Sequence, residues 1–253
     1  MSTAVWVVVA CLAVIVLIYV PLYVVYSKLS AGIDRLGKQL PKETGNVFAQ
    51  VEALMAIHRE LKLEHALPPT RGWAASPDFL RNIMTHALRA RPGCIVECSS
   101  GVSTVVLARV AQMLGAGHVH SLEHDPDFAE QTRQLLRFHG LEDFATVYDA
   151  PLRELTLPGW SGRWYSSDVL RQGMPIDMLV VDGPPWFVGE LPRYPAVPVF
   201  HDALVPGAVV FLDDADRPEE QAIVSQWRER FGDLQLVQVP KCEKGCVALE
   251  RQA

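Results

Sequence analysis

The sequence lacks the features of several large protein classes. It has no excess of basic residues, since 23 Lys and Arg stand against 29 Asp and Glu, for a formal net charge of −6. A phosphate-rich partner such as a nucleic acid is therefore not expected. The five cysteines are an odd number and one of them, Cys11, lies in an apolar run. This pattern argues against a disulfide framework and favours a reducing compartment.

Charge is also absent from the first part of the chain, because every residue from Val5 to Tyr26 is uncharged. As a helix this stretch would be roughly 33 Å long, enough to cross the hydrocarbon core of a bilayer. A secretory signal peptide would have a basic start, a shorter apolar core and a small-residue cleavage site. This stretch has no basic residue before it, is longer than such a core and has no convincing cleavage site. We therefore predict a single-pass transmembrane anchor over residues 1–27. Basic residues follow the stretch, which predicts that the remainder faces the cytoplasm; they are Lys28, Arg35, Lys38 and Lys42.

Residues 28–70 carry apolar side chains at helical spacing and form a predicted helical connector. One stripe runs from Leu29 to Leu40 and is expected to end at Pro41, and a second runs from Val47 to Leu61. His58 lies on the second stripe and is expected to pack rather than to bind a ligand. Two interpretations stay open: the helices pack on the domain or membrane, or they pair two copies of the chain through residues 28–63.

From residue 71 to residue 253 the sequence alternates between strand and helix patterns. This order is typical of an α/β domain with a doubly wound, mostly parallel seven-stranded sheet and an antiparallel C-terminal hairpin. The strands are predicted at residues 94–97, 118–123, 145–150, 176–182, 207–213, 234–239 and 246–251.

Each of the first five predicted strands ends in a carboxylate. Carboxyl ends of parallel strands meet at one edge of a sheet, where like charges repel, so a sheet needs no such arrangement for its own stability. A ligand with hydroxyl groups, amines and positive charge, or a metal ion, would explain it. The residues are Glu97, Glu123, Asp149, Asp182 and the pair Asp213 and Asp214.

The turn after the first strand separates two classes of nucleotide ligand. A dinucleotide site needs the pattern G-x-G-x-x-G, of which only Gly101 is present. A nicotinamide cofactor, and with it an NAD-dependent oxidoreductase, is therefore the weaker alternative. Glu97 before the turn suits an ammonium group better than a pyrophosphate, and Glu123 is positioned to accept the hydroxyls of a ribose. A plain packing turn capped by Ser103 is the alternative without a ligand.

The segments IVECSSGVST, SLEHD, VYDA, IDMLVVDGPP and LVPGAVVFLDDAD occur in this order. Together they resemble the class I S-adenosylmethionine-dependent methyltransferases, and in particular small O-methyltransferases with a VDG element after the fourth strand. The resemblance covers about residues 76–250 and implies a Rossmann-like methyltransferase fold.

The resemblance also implies a cofactor-binding set. Glu97 and the backbone of Ser99, Ser100 and Gly101 would hold the methionine moiety of S-adenosylmethionine, Glu123 its ribose and Asp149 its adenine amine. The family usually has glycine where this chain has Ser99, which puts the affinity in doubt. The set is completed by Ser103, His124, Ala150 and Asp182.

Asp182, Asp213 and Asp214 resemble the magnesium ligands of catechol-type O-methyltransferases. By this resemblance Mg²⁺ would bind an acceptor hydroxyl and lower its pKa. The catechol-type enzymes have a lysine shortly after the fourth-strand acid, whereas this chain has Gly-Pro-Pro-Trp there. If no metal binds, Asp182 or His201 is the candidate catalytic base.

Residues in the neighbouring loops are candidates for acceptor binding. One group would select an acidic or sugar-like acceptor, or is simply solvated surface: Arg193, Tyr194 and Arg217. A second group would form a wall of the acceptor site, or packs in the core: Trp160, Trp164 and Trp186.

The sequence as a whole predicts a membrane-anchored methyltransferase that transfers a methyl group to an oxygen of a small-molecule, lipid or glycan acceptor. The alternative from another class is a non-catalytic membrane-anchored scaffold that keeps the fold.

Overall fold

The computed structural model of the protein describes residues 2–70, 72–170 and 173–253. Met1 and Arg71, at which two of the predicted segments begin, lie outside the described residues. The chain divides into two compact units, residues 1–49 and residues 50–253. The predicted boundaries at residues 27 and 70 stay predictions.

The first helix, α1, runs without interruption from Thr3 to Leu61. The predicted break at Pro41 is therefore wrong. A proline removes one backbone hydrogen bond and bends a helix, but it need not end one when the residues on both sides favour helix. Within the described residues, α1 is the single helix long and apolar enough to cross a membrane by length and composition, and its apolar part is not buried.

The last turns of α1 belong to the second unit. Ala53, Ile57 and Leu61 recur at helical spacing and are buried. Ile57 and Leu61 pack in the same core cluster as Phe79 and Ile83 of the next helix. His58 is half-buried beside them.

The second unit is built on the predicted seven-stranded sheet, with strand order β3-β2-β1-β6-β7-β9-β8. The first five strands in this order are parallel, and β9 is antiparallel to both β7 and β8. The strands are β1 Cys94–Cys98, β2 His118–Glu123, β3 Ala145–Asp149, β6 Ile176–Val181, β7 Leu204–Asp213, β8 Leu234–Val237 and β9 Cys246–Arg251. The predicted fold class is confirmed.

Helices cover both faces of the sheet, because the parallel strands are apolar on both sides. Alternate strand residues divide the core into two clusters: Ile95 and Val119 face α2 and α3, whereas Val96 and Leu122 lie in the cluster that contains Trp227 of α6. The helices are α2 Pro77–Ala90, α3 Val102–Leu114, α4 Pro126–His139, α5 Ala196–Phe200 and α6 Pro218–Arg230.

A two-stranded hairpin, β4 Leu152–Leu157 and β5 Trp160–Tyr165, forms a separate small sheet. This hairpin was not predicted from the sequence, in which Trp160 and Trp164 were placed in loops. The sequence feature that indicates it is Pro158-Gly159, a common turn dipeptide, between two segments of alternating polarity. Both tryptophans are buried in the core, so the core alternative is the one that the structure supports for them.

Candidate active site

A cavity of about 710 Å³ lies at the carboxyl ends of the parallel strands. The strand order changes direction between β1 and β6, where open α/β sheets bind their ligands. The cavity is lined by the turn Ser99–Ser103, by Glu123, His124 and Asp125, by Asp182 and Gly183, by Arg193, Asp214, Arg217 and Lys244, and by Tyr165 and the rim aromatics Trp73, Phe128, Trp186 and Phe187.

The turn between β1 and α3 brings backbone to the cavity wall. Gly101 has φ 147° and Ser99 has φ 121°, both in the region that favours glycine. A serine in such a conformation stores about 1–3 kcal/mol of strain. Ser99, where the family usually has glycine, therefore has a backbone conformation that favours glycine.

Glu97 supports this turn from below. Its carboxylate is fully buried, and Oε2 accepts hydrogen bonds from Thr104 Oγ1 at 2.5 Å and Ser121 Oγ at 2.7 Å. Oε1 has no hydrogen-bond partner among the described residues. Burial raises the pKa of Glu97 to about 7, against the opposing effect of the hydroxyl donors. Glu97 itself does not line the cavity.

Glu123 at the end of β2 faces the cavity with a carboxylate that local donors hold in place. Oε1 accepts from the backbone N–H groups of His124 at 2.8 Å and Asp125 at 3.0 Å. Oε2 accepts from the backbone N–H of Ser100 at 3.1 Å and from its Oγ at 3.2 Å. The Ser100 hydroxyl also lies 3.0 Å from Thr132 Oγ1, so it has a second partner if a ligand hydroxyl takes its place on Glu123.

Two predicted adenine-side residues do not line the cavity. Asp149 is exposed and its Oδ1 accepts from Arg133 Nη2 at 2.8 Å. Ala150 is buried, and its N–H donates to the backbone carbonyl of Glu123 at 2.6 Å. His124 does line the cavity, with its ring 5.9 Å from that of Tyr165. The structure thus brings the predicted turn and the predicted ribose residue together in the cavity wall, whereas Glu97 is buried and does not line the cavity, and Asp149 is turned outward.

The three predicted metal ligands also lie together. Asp182, Asp213 and Asp214 each offer a carboxylate oxygen, and these oxygens lie within 4.8 Å of one another. Burial raises the pKa of Asp182 to about 6, although the nearby Arg193 lowers it. Burial also raises the pKa of Asp213 well above its usual range.

A cation from the chain itself lies among these acids. Arg193 is 4% exposed. Its Nη2 donates to Asp214 Oδ2 at 2.9 Å and lies 3.4 Å from Asp182 Oδ1, and its Nη1 donates to the backbone carbonyl of Asp213 at 3.0 Å. From the sequence, Arg193 was predicted to border the acceptor rim and either to select the acceptor or to be solvated surface. It is instead buried, because carboxylates distant in the sequence surround it.

His201, the second candidate base, lies elsewhere. It precedes β7, at the amino end of the strand, whereas the cavity is at the carboxyl ends. Its Nε2 lies 2.9 Å from Asp233 Oδ1, and its ring packs on Phe231 at 4.4 Å. The structure therefore corrects this prediction: His201 is a structural histidine, and Asp182 is the candidate base that faces the cavity.

Several cavity residues escaped the sequence analysis. Tyr165 comes from the unpredicted hairpin, and its hydroxyl lies so close to Gly183 that a Cβ on this glycine would be 2.2 Å away. Lys244 reaches the cavity from the C-terminal turn, and Trp73 and Phe187 contact each other at the rim with rings 6.0 Å apart. Trp186, predicted as a possible acceptor wall, does line the rim.

The two predicted cofactors fit this site differently. The Glu123 carboxylate and the glycine-like turn line the cavity and offer an acceptor and backbone approach of the kind that S-adenosylmethionine needs. The acidic cluster offers oxygen ligands of the kind that Mg²⁺ prefers. However, Arg193 already donates to one oxygen of Asp182 and one of Asp214, so its positive charge opposes a metal ion in this cluster.

The raised pKa of Glu97 predicts a pH-dependent stability. Because the folded-state pKa of about 7 lies above the ordinary value of 4.5, neutral Glu97 stabilises the fold fully below about pH 4.5, and this contribution is lost as the pH rises through 7. Glu97→Gln stays neutral and should gain stability relative to the wild type by up to about 3 kcal/mol between pH 4.5 and pH 8. Urea unfolding at both pH values measures it. The exposed Glu229→Gln is the control. An equal effect of Glu97→Gln at both pH values would contradict the assignment.

Comparison with known proteins supports the same fold and domain. The family model described as a methyltransferase domain matches residues 96–215. No curated protein matches the sequence.

Solved structures of similar fold include three methyltransferases. One is the O-methyltransferase TomG from Streptomyces achromogenes, involved in tomaymycin synthesis and crystallised with SAM (TM-score 0.53, 19% identity, 83% of this chain and 96% of that chain). Another is SAH-bound PaMTH1 from Podospora anserina (TM-score 0.56, 14% identity, 79% and 88%). The third is a methyltransferase from Geobacter sulfurreducens (TM-score 0.51, 18% identity, 86% and 97%).

At these identities the solved structures establish the fold, and the family model establishes which domain has it. Residues 96–215 of this chain thus match a methyltransferase-domain model, and the chain shares its fold with solved methyltransferases.

Proposed function

We propose that this chain transfers a methyl group from S-adenosylmethionine to an oxygen atom of an acceptor bound in the cavity described above. The observation that carries the proposal is that Glu123, the Ser99–Ser103 turn and Asp182 all line one cavity. A carboxylate for a ribose, a turn for the methionine end and a candidate base are then available to one bound pair of substrates. The cofactor supplies the electrophilic methyl group, and every other task falls to the chain.

The cofactor is proposed to lie between β1 and β2. Glu123 would accept the ribose hydroxyls, with the Ser100 hydroxyl turning to Thr132 to make room. The role of Glu97 at the amino group of the methionine moiety stays a prediction, because its carboxylate is buried and does not line the cavity. The role of Asp149 at the adenine stays a prediction, because its side chain is exposed and paired with Arg133.

Asp182 is proposed as the base that accepts the acceptor's hydroxyl proton. Methyl transfer to oxygen forms a carbon–oxygen bond, breaks the carbon–sulfur bond and releases the hydroxyl proton, which needs an acceptor near the reacting oxygen. Asp182 lines the cavity and its backbone N–H donates to the Cys98 carbonyl at 3.2 Å, which holds it at the end of β6 beside the β1 turn. Holding the acceptor oxygen in line with the methyl group is the other requirement.

The cavity rim supports an acceptor with an apolar or flat body. Trp73, Trp186 and Phe187 are 75%, 59% and 59% exposed and border the opening. Aromatic rings in such positions stack on rings or cover aliphatic chains. A small-molecule or lipid acceptor fits this rim better than a strongly polar glycan, although all three were predicted from the sequence.

Magnesium is not part of this proposal. The predicted Mg²⁺ site has suitable oxygen ligands, but Arg193 contacts the Asp182 and Asp214 oxygens that would bind it. The reaction as proposed therefore uses the carboxylate of Asp182 and not a metal-bound hydroxyl.

We also propose that the apolar part of α1 anchors the protein in a membrane with the methyltransferase domain in the cytoplasm. The support is the length and composition of this helix and the basic residues that follow it. Anchoring would concentrate the enzyme near membrane-associated acceptors. Pairing of two copies through residues 28–63 stays a prediction; the exposed Leu29, Ile33 and Leu36 are compatible with it.

Cofactor binding is the first test of the proposal. Titration of S-adenosylmethionine into the full chain in detergent should give saturable binding, and Glu123→Ala should weaken it at least about 100-fold, because two hydrogen bonds to a charged group are lost. Glu130→Ala, on the exposed side of α4, is the control. Absence of binding to folded wild type would sink the methyltransferase proposal and favour the scaffold alternative.

The role of Asp182 is tested separately from binding. With an acceptor found by screening aromatic and lipid alcohols, Asp182→Asn should lower kcat about 100-fold or more while S-adenosylmethionine still binds, since general-base catalysis contributes about 10²–10⁴-fold. Mass spectrometry of the methylated product measures turnover. Unchanged kcat in Asp182→Asn would remove Asp182 from the mechanism.

The anchor is tested by a charge in its middle. An arginine near the centre of a membrane helix costs about 2.5–3.5 kcal/mol of insertion, so Val16→Arg should release a large fraction of the protein from membranes on alkaline extraction. Leu36→Arg, beyond the uncharged run, should not. Equal extraction of wild type and Val16→Arg would argue against the span.

A further inference from the structure

We propose that Arg193 is the resident cation of the acidic cluster: its guanidinium takes the place predicted for a divalent metal ion and holds Asp182 and Asp214 in position. Arg193 is thus a positioning residue, acting through Asp182. The inference deepens the proposed function, because Asp182 is its proposed base, but the cation-binding test below does not depend on methyl transfer.

The contacts of Arg193 are those of a permanent component of the site. One end of its guanidinium bonds the Asp214 carboxylate at 2.9 Å and approaches Asp182 at 3.4 Å. The other end bonds the Asp213 carbonyl at 3.0 Å and lies 3.7 Å from Glu220 Oε1. A side chain tied on both sides and 4% exposed is not free to follow an acceptor in and out of the cavity.

The segment that carries Arg193 is itself anchored. The carbonyl of the next residue, Tyr194, accepts from the indole N–H of Trp227 at 2.7 Å, and its hydroxyl accepts from Arg230 at 3.1 Å. Tyr194 and Trp227 are both buried. These contacts with α6 therefore fix the position of the backbone next to Arg193.

A divalent ion and this guanidinium exclude one another. Mg²⁺ requires ligand oxygens at about 2.0–2.1 Å in octahedral geometry, and one oxygen of Asp182 (Oδ1) and one of Asp214 (Oδ2) are already turned to Arg193. An arginine side chain does not lose its proton in a protein, so its charge cannot give way to a metal. In a buried site the repulsion between the two cations would be large.

Removing the guanidinium should therefore turn the cluster into a cation site. Arg193→Ala removes the guanidinium that contacts Asp182 and Asp214 and leaves one carboxylate oxygen from each of Asp182, Asp213 and Asp214 within 4.8 Å of one another. Hard divalent cations prefer such oxygen ligands, and Mn²⁺ is the convenient spectroscopic probe. Arg217→Ala is the matched control, because Arg217 also contacts Asp214 Oδ2 at 3.0 Å but from an exposed position.

The experiment measures Mn²⁺ binding by electron paramagnetic resonance, and thermal unfolding with Mn²⁺ or a chelator, on the full chain in detergent. Wild type and Arg217→Ala should bind no stoichiometric Mn²⁺. For each of these two proteins, the unfolding temperature in Mn²⁺ should equal its unfolding temperature in chelator. Arg193→Ala should unfold at a lower temperature in chelator, bind one Mn²⁺ at least about 10-fold more tightly than wild type, and recover several degrees on its addition. If this variant folds poorly, its folded yield with and without Mn²⁺ is the readout.

Two results would overturn the inference. One is stoichiometric Mn²⁺ binding by the wild type that Asp213→Asn abolishes, which would show that metal and guanidinium coexist. The other is a folded Arg193→Ala that gains no Mn²⁺ binding, which would show that Arg193 does not occupy a cation position. Titration of S-adenosylmethionine in chelator is run beside these measurements, so a failure of cofactor binding is seen independently.

Discussion

Buried carboxyl groups at the carboxyl ends of the parallel strands are the constraint on which the site depends. Glu97, Glu123, Asp213 and Asp214 are all buried and lie at one edge of the sheet. A buried carboxylate is costly unless donors or cations surround it, and several at one edge also repel one another. The local structure around the cavity can be understood as the set of partners that make this arrangement stable.

Glu97, Glu123 and the pair Asp182 and Asp214 are each held by a different kind of partner. Hydroxyl groups hold one oxygen of the buried Glu97. Backbone N–H groups hold both oxygens of Glu123 at the cavity wall, with one replaceable hydroxyl among its donors. A buried guanidinium holds Asp182 and Asp214, of which Asp182 is the proposed base. Carboxyl groups are thus held in three different ways at one edge of the sheet.

Asp182 and His201 were both predicted from the sequence as candidate bases, and only one of them lies at the cavity. Both are titratable and both lie close to strands in the sequence, so both were candidates for the base. Only the direction of the strand separates them: Asp182 follows the carboxyl end of β6, whereas His201 precedes the amino end of β7 and pairs with Asp233. The alternation of elements was therefore sufficient to choose between them once strand direction was applied to each residue.

Local pattern by itself determined the seven-stranded sheet, the long apolar helix, the acids at the strand ends and the glycine-like turn, because hydrophobic periodicity and turn chemistry act over a few neighbouring residues. Only the tertiary structure decided that Asp149 turns outward to Arg133, that Tyr165 enters the cavity from an unpredicted hairpin, and that Arg193 lies among the acids. Arg193 is eleven residues beyond Asp182 and more than twenty before Asp214 in the chain. Their meeting depends on how α6 and the loop after β6 pack together, and long-range packing of this kind leaves no periodic signal in the sequence.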